Sequence, residues 1–179
     1  MKPAKISAIL FFILLFAAVL PAAALADIIA KITAIQGSVD MLKSDQQSAI
    51  PAKLLEPVSE GDIIRTKSNG KAEITFVDDS VIRVAPSSRL QITEYLMEGK
   101  KRKSGIINLF RGKIRAVVSK SKTFFAAAFG ETEKFEVHTP TAVAGVRGTD
   151  FFVFHQAGMT GVVVIDGIVD AFNPAVPGQ

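Results

Sequence analysis

The feature that most constrains the fold is a series of short runs in which apolar and polar residues alternate. In residues 71–77, for example, Ala72, Ile74 and Phe76 share one face while charged and hydroxyl side chains occupy the other. A period of two indicates a half-buried strand. Such runs recur along the chain between turn-forming residues. Short strands at this spacing predict an all-β domain.

We predict about ten to twelve short strands, rolled into a single β-sandwich or a short β-solenoid-like domain. The candidate runs are residues 28–35, 38–42, 61–66, 71–77, 81–84, 90–93, 106–110, 113–118, 135–138, 151–155, 161–165 and 168–172. Asn69-Gly70 predicts a tight hairpin, because this pair readily adopts positive φ. Residues 78–80 and 86–88 predict two further turns. Beyond the N-terminal region, only residues 123–129 suggest a short helix.

A small pattern, apolar-x-Gly-x-apolar, occurs three times, around Gly37, Gly112 and Gly167. Each of these glycines separates two strand-like runs. Glycine is favoured there because a bulge or a sharp corner needs backbone conformations that other residues avoid. We therefore predict that the three positions are corners of a rolled sheet.

The N-terminus has the layout of a signal peptide. Two lysines precede an apolar run over residues 6–20, and Ala24 and Ala26 supply the small side chains that signal peptidase requires. Cleavage would leave Asp27 as the first residue. The alternative is an uncleaved membrane anchor, since residues 6–26 are long enough to span a bilayer. We expect a signal peptide over 1–26, one domain over 27–172 and a short tail over 173–179.

Composition limits the compartment and the chemistry. The chain has no cysteine, so disulfides, thiol catalysis and a lipid anchor on cysteine are all excluded. The charge is nearly balanced, with 21 Lys and Arg against 17 Asp and Glu. This small net charge does not indicate which kind of partner the protein binds. Together with the signal peptide, these features predict a bacterial protein of the periplasm or one that is secreted. No nucleic-acid partner is expected there.

Three segments together resemble the FecR domain family, which is named for a regulator of iron-dicitrate transport. They are Glu-Gly-Asp-Ile-Ile-Arg-Thr at 60–66, a longer stretch at 72–90, and Thr-Pro-Thr-Ala-Val-Ala-Gly-Val-Arg-Gly-Thr-Asp-Phe at 139–151. The third is the most specific of them. The resemblance runs from about residue 35 to residue 169, with the segments in the family's order.

The resemblance implies an extracytoplasmic β-rich domain that acts in interaction or signal relay and has no known catalytic activity. The full regulators also carry an anti-sigma segment, a membrane span and a C-terminal signalling domain, and these parts are not expected in this chain. Asp79 stands where the family usually has glycine. The residues that we interpret as the structural motif are Gly61, Asp62, Arg65, Asp78, Asp79, Gly145, Arg147, Gly148 and Thr149.

Arg147 lies in a segment that is otherwise small and apolar. If buried it would need a carboxylate such as Asp62 or Asp150, because burying an unpaired charge is costly. We expect Arg147 to form a buried structural pair, and we expect the same of Arg65. The alternative role for both is contact with an anion or a partner.

Nothing in the sequence predicts catalysis, a cofactor or a metal site. The two histidines, His138 and His155, stand beside neither a serine nucleophile nor a second metal ligand. The glycines around Arg147 lack the spacing and the lysine of a phosphate-binding loop. We therefore expect a non-enzymatic protein.

A one-sided charge distribution marks residues 99–130, which contain nine basic residues and no acidic one. We expect the basic loop and the phenylalanines that follow it to form a contact surface. Its residues would be Lys100, Lys101, Arg102, Lys103, Phe124, Phe125 and Phe129. The alternative is that the loop is only a solvated face.

The favoured hypothesis is an exported domain that contacts a protein partner in the cell envelope, in signalling or sensing. The alternative is a structural or adhesive module that binds an anionic polymer or lipid through the basic loop. Membrane contact would come only from an uncleaved leader or from that loop. The identity of the partner and the oligomeric state stay open.

Overall fold

The computed structural model describes residues 27–99, 101–119 and 134–175. Within these ranges the domain is all-β and contains no helix, which confirms the predicted fold class. The predicted leader, the predicted tail beyond residue 175 and the short helix suggested at 123–129 lie outside the described residues.

The described residues form fourteen strands, against the ten to twelve expected. They are β1 Ile28–Gln36, β2 Val39–Leu42, β3 Ile50–Pro51, β4 Pro57–Ser59, β5 Ile63–Thr66, β6 Lys71–Phe76, β7 Val81–Val84, β8 Arg89–Glu98, β9 Lys101–Val117, β10 Lys134–His138, β11 Val143–Val146, β12 Asp150–Gln156, β13 Met159–Asp166 and β14 Val169–Phe172. The strands that were not predicted are β3, β4 and β11. β3 and β4 have only two and three residues, and β11, Val-Ala-Gly-Val, contains no polar residue that would alternate with apolar ones. The runs predicted at 106–110 and 113–118 are parts of the single strand β9.

One long strand joins the two halves of a curled sheet. The C-terminal part of β9 belongs to half-sheet I, with strand order β4-β1-β6-β7-β9-β12-β13. Its N-terminal part belongs to half-sheet II, with order β3-β2-β5-β8-β9-β10-β11-β14. Neighbouring strands are antiparallel except β9 and β10, which run parallel. β9 therefore lies inside both half-sheets.

The three glycines predicted as corners lie where the chain passes between the half-sheets. Gly37 connects β1 to β2, Gly112 divides the two parts of β9, and Gly167 connects β13 to β14. All three have positive φ, and at Gly112 the value is 94°. A Cβ at Gly112 would lie only 2.5 Å from the Ser88 Cα, so a side chain does not fit. The corner prediction is confirmed.

The hairpin predicted at Asn69-Gly70 is wrong. The chain does turn there, with the Gly70 N–H donating to the Lys67 carbonyl at 3.0 Å. However, β5 and β6, which flank the turn, lie in different half-sheets and do not pair. β5 pairs with β2 and β8, and β6 pairs with β1 and β7, so the turn is a crossing between the half-sheets. The turns predicted at 78–80 and 86–88 are present, with positive φ at Asp79 and Ser87.

The core lies between the inner faces of the two half-sheets. Ile32, Ile74 and Ile114 come from half-sheet I, and Leu90 and Ile107 from half-sheet II, all fully buried. These side chains belong to one continuous cluster. Alternate residues point outward, as the period of two requires. The side chains that point outward on these strands are exposed or half-buried, and functional contacts are therefore sought on the outer faces and at the ends of the domain.

Candidate functional site

A buried polar cluster lies around Asp78, in the turn between β6 and β7. Its carboxylate accepts hydrogen bonds from the Ser80 N–H and Oγ at 3.0 and 2.9 Å and from the Tyr95 hydroxyl at 2.6 Å. It also pairs with Arg102, whose side chain is only 2% exposed. The Arg102 guanidinium lies 5.1 Å from the centre of the Phe135 ring. The cluster ties the turn to β8, β9 and β10.

Arg102 is therefore not part of an exposed basic loop, and this prediction is wrong. Residues 101 and 102 begin strand β9, and the alternation of β9 turns Arg102 inward toward Asp78. Burial raises the pKa of Tyr95 well above its ordinary value, and the Asp78 charge raises it further. Such a cluster stabilises and orients neighbouring strands, and it leaves no free charge for a ligand.

The motif residues near Asp62 have structural roles. The buried Asp62 carboxylate accepts from the backbone N–H groups of Ser44 and Ser59, at 2.9 and 3.0 Å, and pairs with Lys43 at 2.9 Å. Gly61 precedes it with φ 84° at the crossing from β4 to β5. Asp62 thus holds the β4–β5 connection to the segment after β2.

The second group of motif residues lies at the crossing from β11 to β12. Gly148 has φ 58°, and the buried Thr149 hydroxyl donates to the Ile168 carbonyl at 2.9 Å. Gly145 lies on β11 opposite Asp170 of β14. These residues fix the path of the chain beside Gly167.

Arg147 is exposed, so the expected buried pair is wrong. Asp62 pairs with Lys43 instead, and Asp150 is bound at both oxygens by Arg115, at 2.9 and 2.7 Å. These hydrogen bonds from Arg115 hold the pKa of Asp150 below its ordinary value. Glycine at 148 lets the chain turn sharply, which leaves the Arg147 side chain outside the core.

Arg65 is half-buried, and it lies in a row of three arginines. Arg65 of β5 is directly opposite Arg89 of β8, which is opposite Arg111 of β9. Paired residues of neighbouring strands lie on the same face of the sheet, so all three point outward from half-sheet II. Arg65 approaches Asp40 at 3.7 Å, and its buried Nε has no hydrogen-bond partner among the residues that the structure describes. We call these residues the arginine row.

The edges of the sheet differ in how they are protected. β3 has two residues and β4 three, and each contains a proline, while the four-residue β14 carries Asp170. β13 has eight residues, contains no proline, and is uncharged up to Asp166. Within the described ranges it pairs only with β12. Val163, Val164 and Ile165 are each about half exposed, at 52%, 45% and 50%.

Much of the predicted contact surface lies outside the described residues, namely Lys100, Phe124, Phe125 and Phe129. Lys101 is half-buried in β9, and the exposed Lys103 pairs with Glu98 at 2.9 Å. The Arg102 side chain therefore lies in the buried cluster, and the side chains of Lys101 and Lys103 do not join it there.

The histidines show no arrangement for catalysis or metal binding. His138 contacts Glu136 at 2.6 Å, and His155 contacts the Thr160 hydroxyl at 2.9 Å. Burial raises the pKa of Glu136, but hydrogen bonds from His138 and Lys134 outweigh burial and hold it below its ordinary value. Across the ranges that the structure describes, no group of three metal-ligating side chains occurs. The same ranges contain no helix with the length and hydropathy to cross a membrane.

The comparison with protein families decides the relationship. The family described as FecR protein matches residues 62–170, more than half of the chain. The chain belongs to the FecR family. This match contains the arginine row from Arg65 onward, the Asp78 cluster and most of the strands, so the predicted resemblance is confirmed.

Among solved structures, this FecR domain is similar to a protein from Parabacteroides distasonis that has been proposed as an anti-sigma factor. The two share 18% sequence identity with a TM-score of 0.49. The similarity covers 64% of this chain, which spans about half, 48%, of the other protein's length. No curated protein matched the FecR domain by sequence.

Sequence reasoning missed the arginine row and the open edge of β13. Arg65 and Arg89 are 24 positions apart in the sequence, and Arg89 and Arg111 are 22 apart. Only the register of β5, β8 and β9 places them side by side. β13 did carry a signal, since an uncharged run without proline is unusual for an edge strand. Its edge position, however, follows from the pairing of distant strands.

Proposed function

We propose that this FecR domain is exported and acts without catalysis, by contacting another protein in envelope signalling or sensing. The observation that carries the proposal is the apolar edge of β13, which pairs only with β12 among the residues that the structure describes. FecR membership supports the setting, because the family's domains are extracytoplasmic and regulatory. The sequence predicted this contact at the basic loop, but Arg102 of that loop is buried in the structure.

An edge strand presents unpaired backbone N–H and C=O groups, which another extended segment can bind. Most proteins block such edges with proline, charge or short length, and here β3, β4 and β14 are blocked in these ways. β13 offers eight residues, with Val163 and Ile165 on the outer face. The partner that fits is therefore an extended, largely apolar segment of a second protein, added as a further strand.

Site-specific crosslinking tests this contact. A photo-crosslinking amino acid is placed at Val163, and in a control at Val77, which is equally exposed at 53% but lies beyond β6. We expect an adduct with one envelope protein from position 163 alone. Adding Ile165→Lys should abolish it, because a lysine at the edge would oppose strand addition.

Equal adducts from positions 163 and 77 would contradict the proposal. An adduct between two copies of the chain would show that the β13 edge binds a second copy of this protein and not a different protein. For the signalling role, the Ile165→Lys variant should reproduce the change in transcript levels caused by deleting the gene. A transcript profile identical to the wild type would contradict that role.

Export has its own test. Cleavage after Ala26 predicts that the protein purified from the periplasmic fraction has the intact mass of a chain beginning at Asp27. Recovery of the uncleaved chain from membranes would favour the anchor instead. Ala24→Leu, which places a large side chain where the peptidase requires a small one, should block processing.

A further inference from the structure

The glycine inside β13 is not explained by its backbone conformation. Gly161 lies within the strand and, unlike Gly158 in the preceding turn, does not have a positive φ. A Cβ at this position would lie only 2.1 Å from the Phe154 Cζ, and 2.4 and 2.8 Å from the two Cε atoms. The glycine therefore makes room for the far end of the Phe154 ring.

The Phe154 ring reaches across β13, the last strand of half-sheet I. Phe154 of β12 is the cross-strand neighbour of Gly161, so both lie on the outer face of the sheet. The ring atoms closest to Gly161 are those farthest from the Phe154 backbone, so the tip of the ring lies over β13. The side chain is still 37% exposed. A strand added beyond β13 would place one of its side chains against the hydrogen-bearing edge of this ring.

The inner face of β13 is also incompletely covered. Val164 is directly opposite Phe151 of β12, which is fully buried, yet Val164 is nearly half exposed. Val162, opposite the buried Val153, is only partly buried against the core. Among the residues that the structure describes, the apolar interior thus continues past β12 and is left uncovered at β13. An added strand would bury Val164 only if its own inner face were apolar.

A β-bulge limits the part of β13 that can pair regularly. Asp150 is opposite Asp166, but the next residue of β12, Phe151, is opposite Val164, so one residue of β13 is unpaired. A bulge of this kind disrupts the ladder and bends the strand. Regular pairing is therefore confined to residues 160–164, which carry no charged side chain. A charged side chain in the added strand would lose water there without meeting an opposite charge.

We propose that β13 accepts a strand that is apolar on both faces and has an aromatic side chain opposite Gly161. The edge of an aromatic ring is electropositive and attracts the face of a second ring, which an aliphatic side chain cannot offer. The inner face of the same strand covers Val164. This inference rests on the strand addition proposed above, and it adds the side chains that the partner must have.

The adduct formed at position 163 tests this inference, because tandem mass spectrometry of the adduct gives the sequence of the partner segment. Val163 and Gly161 are two positions apart and lie on the same face. We therefore expect an aromatic residue two positions from the crosslinked residue of the partner, within an uninterrupted apolar run. A segment in which polar and apolar residues alternate would overturn the inference and leave the strand addition in place. No adduct at position 163 would overturn both.

Phe154→Leu gives a second measurement, with Phe110→Leu as its matched control. Phe110 has nearly the same exposure, 38%, but lies on β9, in the part that belongs to half-sheet II. Made in the chain that carries the photo-crosslinking residue, Phe154→Leu should lower the adduct yield about fivefold, because leucine lacks the ring edge. Phe110→Leu should leave the yield unchanged. Equal yields in the two variants would overturn the role of Phe154.

Gly161→Ala tests the same contact without removing the ring. Its methyl group would push the Phe154 ring away from its place over β13. We expect the adduct yield to fall as in Phe154→Leu, and the double variant should lose no more than either single one, because both changes act on one contact. Additive losses would show that the ring is not that contact. A lowered melting temperature with an unchanged yield would show that Phe154 only covers Gly161.

Discussion

Two regions of this FecR domain use arginine in opposite ways. At the Asp78 cluster, Arg102 is buried and held by a carboxylate, a hydroxyl and an aromatic ring. In the arginine row, Arg89 and Arg111 are exposed and have no carboxylate among the described residues. Burial of a charge is tolerated only with a dedicated partner. A charge without one remains at the surface.

The largest expected effect follows from breaking the buried cluster. Arg102→Ala should destabilise the domain by about 3–5 kcal/mol, because it leaves Asp78 charged and buried without its cation. Arg147→Ala should change stability by under about 0.5 kcal/mol, as expected for an exposed side chain. Urea denaturation of both variants measures the contrast. Equal urea midpoints for the two variants would contradict the expectation that the buried Arg102 contributes more to stability than the exposed Arg147.

A smaller effect is expected from Tyr95→Phe, which removes one of the hydrogen bonds to Asp78. We expect a loss of about 1–2 kcal/mol, since Ser80 and Arg102 still bind the carboxylate. The chain has a single tyrosine, so its ultraviolet absorbance reports this site alone. The raised pKa predicts that the stability contributed by neutral Tyr95 declines as the pH rises above 10.0. Tyrosinate absorbance should therefore appear together with unfolding, and earlier ionisation in a folded chain would contradict burial.

Substitution in the arginine row should raise the stability of the domain, whereas substitution in the Asp78 cluster lowers it. Arg89→Gln relieves repulsion from Arg65 and Arg111, so it should raise stability by a few tenths of a kcal/mol at low salt. The gain should disappear at about 1 M salt, where screening is strong. Thermal melts at the two salt concentrations measure this difference. A clear loss of stability on substitution would mean that Arg89 has a structural partner after all.

The smallest effect concerns Arg115 and Asp150, a half-exposed pair between the two extremes. The lowered pKa of Asp150 means that its contribution is present above the ordinary value of 3.8 and is lost as the pH falls through the lower folded value. The stability difference between wild type and Asp150→Asn should therefore shrink below pH 3.8. A difference that stays constant down to acid unfolding would exclude this pair as its source.

The outcome of the sequence predictions follows the same division. Alternation located the longer strands, and glycine identified the corners, because both are local properties of a few adjacent residues. The roles expected for Arg102 and Arg147 were reversed. Charge density suggested a loop at residues 100–103, but β9 places Arg102 on its inward face. Small neighbours suggested burial of Arg147, but the turn at Gly148 directs it outward.

The sequence by itself determined an all-β FecR domain with corners at Gly37, Gly112 and Gly167, since periodicity and positive φ are set by neighbouring residues. Only the tertiary structure decided which arginines are paired. Arg102 meets a carboxylate 24 positions away and Arg115 one 35 positions away, through strand register that no local pattern encodes. The same register gathers Arg65, Arg89 and Arg111 into a row and leaves β13 at an edge. Partners of charges and edges of sheets are properties of the assembled sheet, because both depend on contacts between distant segments.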